Sequence, residues 1–370
     1  MARAGVDRRV QIQRLSLARF RGFAAAEWRP GPGLNLVTGD NGAGKTSLLE
    51  AAHLIANGRS FRGRVRDGLV RSGELDLDVF AEWIQADDRT RRAGLRHSGR
   101  DWQARLDGET VTVLADLCSA LAVLSFEPGS HELIGGGSEQ RRRFVDWALF
   151  HVEPEFLPHS RRYSRALKQR NALLKTRPRR DLLAPWSREL ADAGEPVTRM
   201  RALYLQQLQP LLGEVARVLL PELGALQLSY QPGWRREEHA LAEALQQATD
   251  RDLVLGYTSP GPHRADWRIE FERLPGREAL SRGQEKLVAL ACTLAQARAY
   301  AQHRGEWPVI ALDDLASELD QAHQRLALDL LAVGAAQILL TGTEAPAALA
   351  SHSGALHRFH VEQGRVDALL

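Results

Sequence analysis

Residues Gly39-Asp40-Asn41-Gly42-Ala43-Gly44-Lys45-Thr46 fit the pattern G-x-x-x-x-G-K-[ST] at every position. They stand between an apolar strand-like run (Leu34, Leu36, Val37) and an apolar helix-like run (Leu48, Leu49, Ala51, Ala52, Leu54, Ile55), where such a loop must stand to work. Glycines let successive backbone N–H groups curl around a polyphosphate, and the helix start behind them points its positive end at the same spot. Lys45 then reaches the β- and γ-phosphates, and Thr46 offers a hydroxyl to Mg²⁺. A second stretch, Val309-Ile310-Ala311-Leu312-Asp313-Asp314, is an apolar strand ending in two carboxylates. We assign Asp313 to the metal, through water, and Asp314 to the attacking water. Taken alone, an Asp-Asp pair at a strand end is also a common helix-capping turn.

The elements that position these groups read as follows. A strand over residues 10–19 alternates with period two apart from a slip between Ile12 and Leu15, and turns at Gly22 and Pro30-Gly31-Pro32-Gly33 lead to the phosphate-loop strand. Beyond the loop's helix, Leu75 to Trp83 and Gly94 to Leu106 read as strand segments, with Asp107-Gly108 as a hairpin turn. A helix-like segment, Val113 to Leu121, precedes a buried strand at Val123 to Phe126. The later elements are strands at Trp267 to Phe271, Val309 to Leu312 and Gln337 to Leu340, helices at Gln284 to Ala301 and Asp320 to Leu331, and a terminal hairpin turning at Gln363-Gly364. Between the two α/β portions, long Arg-, Leu- and Gln-rich helical segments are punctuated by Pro154, Pro158, Pro178, Pro185, Pro196, Pro210 and Pro221, with a strand near Leu226 to Tyr230. Because proline breaks helix interiors, one long coiled-coil arm is excluded here and a compact helical insert is expected. The expected division is an ATPase N-lobe over 1–137, a helical, DNA-binding lid over 138–256, and an ATPase C-lobe over 257–370.

With 44% hydrophobic residues the chain can bury an ordinary core. It has no apolar stretch of membrane-span length, and a charged N-terminus argues against a secretion signal. Cys118 and Cys292 are too few and too isolated for a disulfide framework or zinc site, which suits a reducing cytoplasm. The histidines show no ligand spacing, so Mg²⁺ is the only metal expected. Basic positions are almost all arginine: Lys45, Lys168, Lys175 and Lys286 are the only lysines. A retained lysine hints that a compact charge is needed, and Lys45 and Lys286 lie in or beside the nucleotide motifs, whereas Lys168 and Lys175 read as sampling.

Two further motifs narrow the chemistry. Leu280-Ser281-Arg282-Gly283-Gln284 resembles the LSGGQ signature of ATP-binding-cassette (ABC) ATPases, with Arg282 in place of a glycine, and Ser317-Glu318-Leu319-Asp320 resembles their D-loop. Ser281 and the Gly283 N–H then form an anion site at a helix start. The resemblance implies that a second subunit completes it across the γ-phosphate, so ATP acts as dimer glue and hydrolysis as release. Over nearly its whole length the chain is similar to the bacterial RecF family, which is related to the SMC ATPases. The match runs through Ala18 to Phe23, Asn57 to Arg62, Arg141 to Asp146, Leu167 to Asn171, Gly261 to Asp266 and Leu280 to Lys286. That resemblance implies an α/β ABC-type P-loop ATPase head with a β-rich N-terminal part and an inserted compact helical lid. It further implies an ATP-dependent homodimer on gapped or junction DNA, work with RecO and RecR in loading RecA, roles in repair, replication restart and SOS induction, and slow ATP hydrolysis. The departures concern the hydrolytic groups. Glu127 stands where transporter ATPases carry a glutamine loop, Thr341-Gly342-Thr343 replaces their switch histidine, and Asp314 is one methylene shorter than the usual glutamate.

Arg161, Arg162, Arg165, Lys168, Arg170, Lys175, Arg177, Arg179 and Arg180 follow one another without an intervening acid. Arg161, Arg165 and Lys168 share one helical face, and Arg170 and Arg177 a neighbouring one, a pattern able to neutralise DNA phosphates with little sequence preference. Arg59, Arg62, Arg64 and Arg66 form a second basic loop open to DNA or a partner subunit, and His263 with Arg264 could touch nucleotide or brace a turn. Two other functional readings compete: a nucleotide-gated structural clamp whose hydrolysis is incidental, and a transporter ATPase subunit.

Overall fold

The computed structural model describes residues 8–63, 68–176, 178–274, 280–351 and 354–369. Two compact units emerge, one built from residues up to 130 and from 282 onward, the other from residues 131–281.

The first unit owes its shape to two six-stranded sheets sharing one core. One sheet has the order Arg365–Leu369, Leu356–Glu362, Leu34–Thr38, Ile338–Thr341, Val309–Leu312, Val123–Phe126, and all its pairings are parallel except the first. Its central strands are short continuous apolar runs, as burial on both faces requires. The registers Leu36↔Leu340, Leu312↔Leu340 and Leu312↔Phe126 align their C-terminal ends along one edge. The phosphate loop leaves its strand at that edge, Asp313 follows Leu312 there, and Thr341 ends its strand there. Parallel α/β sheets bind ligands at this edge for that reason.

The second sheet is antiparallel, in the order Phe23–Trp28, Gln11–Phe20, Leu77–Ile84, Thr90–His97, Trp102–Leu106, Glu109–Val111. Leu77, Val79, Ala81 and Trp83 alternate inward, as period two demands. The slip in the first strand's alternation is a β-bulge between Ile12 and Arg14. The Gly94 to Leu106 run is two strands, because Ser98-Gly99 turns the chain back, and Phe23–Trp28 is a strand that the hydrophobic pattern did not announce. At Asp107-Gly108 both residues have positive φ, 52° and 90°, the geometry of a tight hairpin turn. Helix Lys45–Asn57 contributes to the same core, with ten of its thirteen residues buried.

The second unit contains helices Ser138–Val152, Phe156–Leu174, Arg180–Leu219, Leu241–Gln247 and Thr249–Leu255. Prolines do not break it as expected: Arg180–Leu219 is one helix of 40 residues, about 60 Å long, running through Pro185, Pro196 and Pro210. Each proline forfeits one backbone hydrogen bond, but a continuous apolar face offsets that loss, with Leu183, Leu190, Val197, Tyr204, Leu208, Leu212, Val215 and Leu219 buried along its length. Strand Leu226–Gln231 pairs antiparallel with Asp266–Phe271, Tyr230 opposite Trp267. That pairing draws residues 257–281 into the insert, so the unit boundaries fall at 130/131 and 281/282 instead of 137/138 and 256/257.

Candidate nucleotide site and basic helix

Gly39, Gly42 and Gly44 all adopt positive φ, at 147°, 82° and 115°. Two of them admit no side chain: a Cβ on Gly39 would lie 2.3 Å from the Val361 carbonyl, and one on Gly44 would lie 2.7 Å from the Phe23 ring. Gly44 caps the following helix without a side-chain hydrogen bond, and the helix's first turn holds no acid. The helix start therefore presents backbone N–H groups to an anion. Lys45 is buried, and its ammonium donates to the carbonyls of Gly39 at 2.6 Å and Asp40 at 2.9 Å.

Thr46 Oγ1 donates to Asp313 Oδ1 at 2.9 Å, and Thr341 Oγ1 donates to the same oxygen at 2.6 Å. Burial pushes the Asp313 carboxyl above the ordinary range; the two hydroxyls and Arg62 pull it down, and Asp314 pushes it up. Asp314 sits in the left-handed region at φ 51°, and its N–H donates to Thr341 Oγ1 at 2.9 Å. Lys45, Thr46, Asp313, Asp314 and Thr341 line one cavity of about 370 Å³, together with Arg21, Asn41, Gly42, Gly44 and Arg62. An uncapped helix start, an ammonium, a hydroxyl and two carboxylates converge there, which is a donor set that fits a triphosphate with Mg²⁺.

Sequence reasoning gave no role to Arg21 or Glu50, and placed Thr341 only within the stretch that replaces the switch histidine. Glu50 is fully buried and accepts both arms of the Arg21 guanidinium, at 2.9 and 2.6 Å, as well as the Ser60 hydroxyl; Arg62 stands 3.7 Å away. A lone acid inside the apolar run Leu48 to Ile55 was the available signal. Arg62 of the second basic loop lines the nucleotide cavity, and Arg64 and Arg66 lie outside the described residues. Glu127 closes a local turn, accepting the Gly129 N–H at 2.6 Å. Ser281 and Gly283 are exposed at the start of helix Arg282–Arg304, and Gly283 is not among the residues lining the cavity.

In the insert, helix Phe156–Leu174 exposes Arg161, Arg162, Arg165 and Lys168. Arg162 is engaged, with two 2.9 Å bonds to Glu189. Arg170 corrects the sequence expectation. It is fully buried, bonded to Asp252 at 2.7 Å, Thr258 at 2.8 Å and Ser187 at 3.0 Å, so its charge serves the interior and not DNA. Arg177, the remaining residue of the expected stripe, lies outside the described residues. His263 braces a turn: Nδ1 lies 2.6 Å from the Tyr163 hydroxyl and Nε2 lies 3.0 Å from the Thr258 carbonyl, while burial lowers its pKa to about 4. Next to it, Arg264 stacks over the Tyr257 ring at 5.1 Å.

The RecF/RecN/SMC N-terminal domain family model matches residues 11–364. DNA replication and repair protein RecF of Xanthomonas oryzae pv. oryzae (strain MAFF 311018) is 60% identical over 362 residues, covering 97% of this chain and all of that protein. The protein of the same name from Shewanella denitrificans is 37% identical over 361 residues, again 97% of this chain and all of its own length. Among solved structures, the recombination mediator protein RecF with ATP, in the RecFOR pathway, superposes with a TM-score of 0.88 at 25% identity and full coverage of both chains. An SMC head bound to the C-terminal winged-helix domain of ScpA superposes with a TM-score of 0.57 at 14% identity over 97% of each chain, a likeness of fold.

Proposed function

The chain belongs to the RecF family, and from that premise we propose an ATP-dependent DNA clamp and recombination mediator that closes as a homodimer over ATP at gapped or junction DNA. Binding of ATP and a part in DNA repair and recombination come with the family. The observation that carries the finer reading is the convergence of Lys45, Thr46, Asp313 and Asp314 on one cavity, while Gly283 lies outside it. Lys45 neutralises the β- and γ-phosphates, and the N–H groups of the loop and helix start hold their oxygens in place. Thr46 and Asp313 would hold Mg²⁺, which would supply charge neutralisation to the triphosphate. Asp314 orients the attacking water. Ser281 and Gly283 of a second copy complete the γ-phosphate site, so closure requires nucleotide and hydrolysis permits opening. RecO and RecR act with this clamp in loading RecA.

DNA stimulates the turnover, which is slow because Asp314 is shorter than a glutamate and reaches the water less well. Asp314→Glu should then raise the single-turnover rate, and an unchanged rate removes this explanation. Asp314→Asn separates the mediator from a purely structural clamp: a mediator stalls closed on DNA, whereas a clamp that needs only binding functions normally. The decisive experiment is sedimentation with and without ATP and a gapped duplex. Dimer formed only with nucleotide supports the composite site; dimerisation indifferent to nucleotide removes it. The inserted helical unit, and Thr341-Gly342-Thr343 where a transporter ATPase carries its switch histidine, weigh against the transporter reading.

A further inference from the structure

Lys286 lies one turn into helix Arg282–Arg304, the helix that the signature residues open. Its ammonium stands 2.8 Å from Glu318 Oε2, with the two side chains 28% and 10% exposed. Glu318 ends the four-residue helix Leu315–Glu318, whose N-cap is Asp314 itself. The Asp314 carbonyl accepts the N–H of Ser317 at 3.0 Å, the N–H of Glu318 at 3.2 Å and the Ser317 hydroxyl at 3.0 Å. From the far side, the Gln324 amide donates to the Leu319 carbonyl at 2.7 Å, tying the same segment to helix Gln321–Ala332. An unbroken series of short contacts thus leads from the signature helix through Lys286 and Glu318 to Asp314, and on through Thr341 to Asp313 and Thr46.

We propose that the Lys286–Glu318 pair is a positioning device that links occupancy of the signature helix start to the placement of Asp314. The inference rests on the two-copy reading of the nucleotide site. When the γ-phosphate held by one copy docks on Ser281 and Gly283 of the other, the docked helix shifts or stiffens as a rigid rod. Lys286 carries that constraint to Glu318, and the short helix carries it to Asp314, which serves the triphosphate in its own chain. The two nucleotide sites of the dimer thereby sense one another. A lysine suits this role, because in a chain that otherwise uses arginine a compact ammonium on a flexible stem keeps one carboxylate partner through a small displacement. A partly buried ion pair also loses more on truncation of one member than it contributes as a pair, so the link is sensitive to charge and testable by reversal.

The test uses the full chain and four proteins: wild type, Lys286→Glu, Glu318→Lys and the double reversal. Four quantities are read in each: single-turnover ATP hydrolysis with gapped duplex, the Hill coefficient of steady-state hydrolysis against ATP, the dissociation constant of a fluorescent ATP analogue, and the melting temperature. The expected result is a loss of tenfold or more in hydrolysis and a Hill coefficient falling to one in each single variant. Nucleotide affinity should stay within about twofold of wild type, the melting temperature should fall by several degrees yet leave each single variant folded at the assay temperature, and the double reversal should recover most of the hydrolysis. Unchanged hydrolysis in the single variants overturns the proposal, and so does a double reversal no better than the singles. Single variants that are already unfolding at the assay temperature, or whose nucleotide affinity falls in step with hydrolysis, assign the pair to stability alone. Sedimentation of the wild type separates the premise from the inference. If it never dimerises with ATP, the two-copy reading falls and takes the link with it; if it dimerises while the single variants hydrolyse normally, only the link falls.

Discussion

Thr341 governs the hydrogen bonding of Asp313: its hydroxyl donates to Asp313 Oδ1 at 2.6 Å while accepting the Asp314 N–H at 2.9 Å. One buried hydroxyl thus fixes both carboxylate residues, the first through its side chain and the second through its backbone. Thr341→Val keeps the shape but leaves that N–H without its partner and removes a donor from Asp313, a loss of roughly 1–3 kcal/mol. Single-turnover hydrolysis should fall by about tenfold or more, whereas Thr341→Ser should stay within about threefold of wild type. Equal rates for the valine and wild-type proteins remove Thr341 from the site's machinery.

The phosphate loop and Asp313 were legible in the sequence because their meaning is local: a glycine pattern between a strand and a helix, and an apolar run ending in acid. Thr341 was not, because its contact with Asp313 depends on the parallel register Leu312↔Leu340, which sets the ends of two separate strands side by side and is invisible in either segment alone. The basic run shows the same limit. Its own segment contains no acid, but Glu189 and Asp252 arrive from elsewhere and take up Arg162 and Arg170. Proline's effect was misjudged for a related reason, since a local penalty of about 3 kcal/mol is outweighed when a 40-residue helix buries one whole face.

Arg170 and Asp252, both without solvent exposure, make a stability prediction. Arg170→Ala leaves the buried Asp252 carboxylate with the Ser259 N–H but without its counter-charge, and takes a donor from Thr258, at a cost of about 3–5 kcal/mol. Asp252→Asn strands the guanidinium and should cost a comparable amount. Replacing both residues with apolar side chains of similar volume should recover much of the loss in urea unfolding. A substitution at Arg170 that leaves stability intact while weakening DNA binding would return this arginine to the DNA-contacting stripe.

His263 makes stability depend on pH. It stays neutral in the fold, with its pKa lowered by burial from about 6.5 to about 4, because a charged ring would lose its hydration there and would face the like charges of Arg264 and Arg142. A depressed pKa contributes stability that is fully present above the unfolded value and is lost as pH falls toward the folded one. Between pH 7 and pH 5 the wild type should lose roughly 2 kcal/mol through this group. His263→Gln, which has no proton to gain, should lose less over the same interval in denaturant titrations at each pH. Parallel curves for the two proteins would show that the neutral histidine contributes nothing to the pH response.

Arg161, Arg165 and Lys168 lie on one exposed face of helix Phe156–Leu174, opposite the face that buries Tyr163, Ala166, Arg170 and Leu174. If each neutralises one phosphate, each adds about 0.9 to the slope of log affinity against log salt on duplex DNA. The triple alanine variant should therefore flatten that slope by about 2–3 and weaken binding alike on unrelated sequences, since phosphate contacts carry no base information. Arg162→Ala should change the slope by less than any one of the three, because Glu189 already holds its guanidinium by two bonds. Titrations of labelled duplex from about 50 to 200 mM salt, with saturating ATP, measure all of these slopes. Slopes that coincide for the wild type and the triple variant would place the DNA on some other surface, and a larger effect at Arg162 than at Arg165 would mean that DNA displaces Glu189 from its arginine.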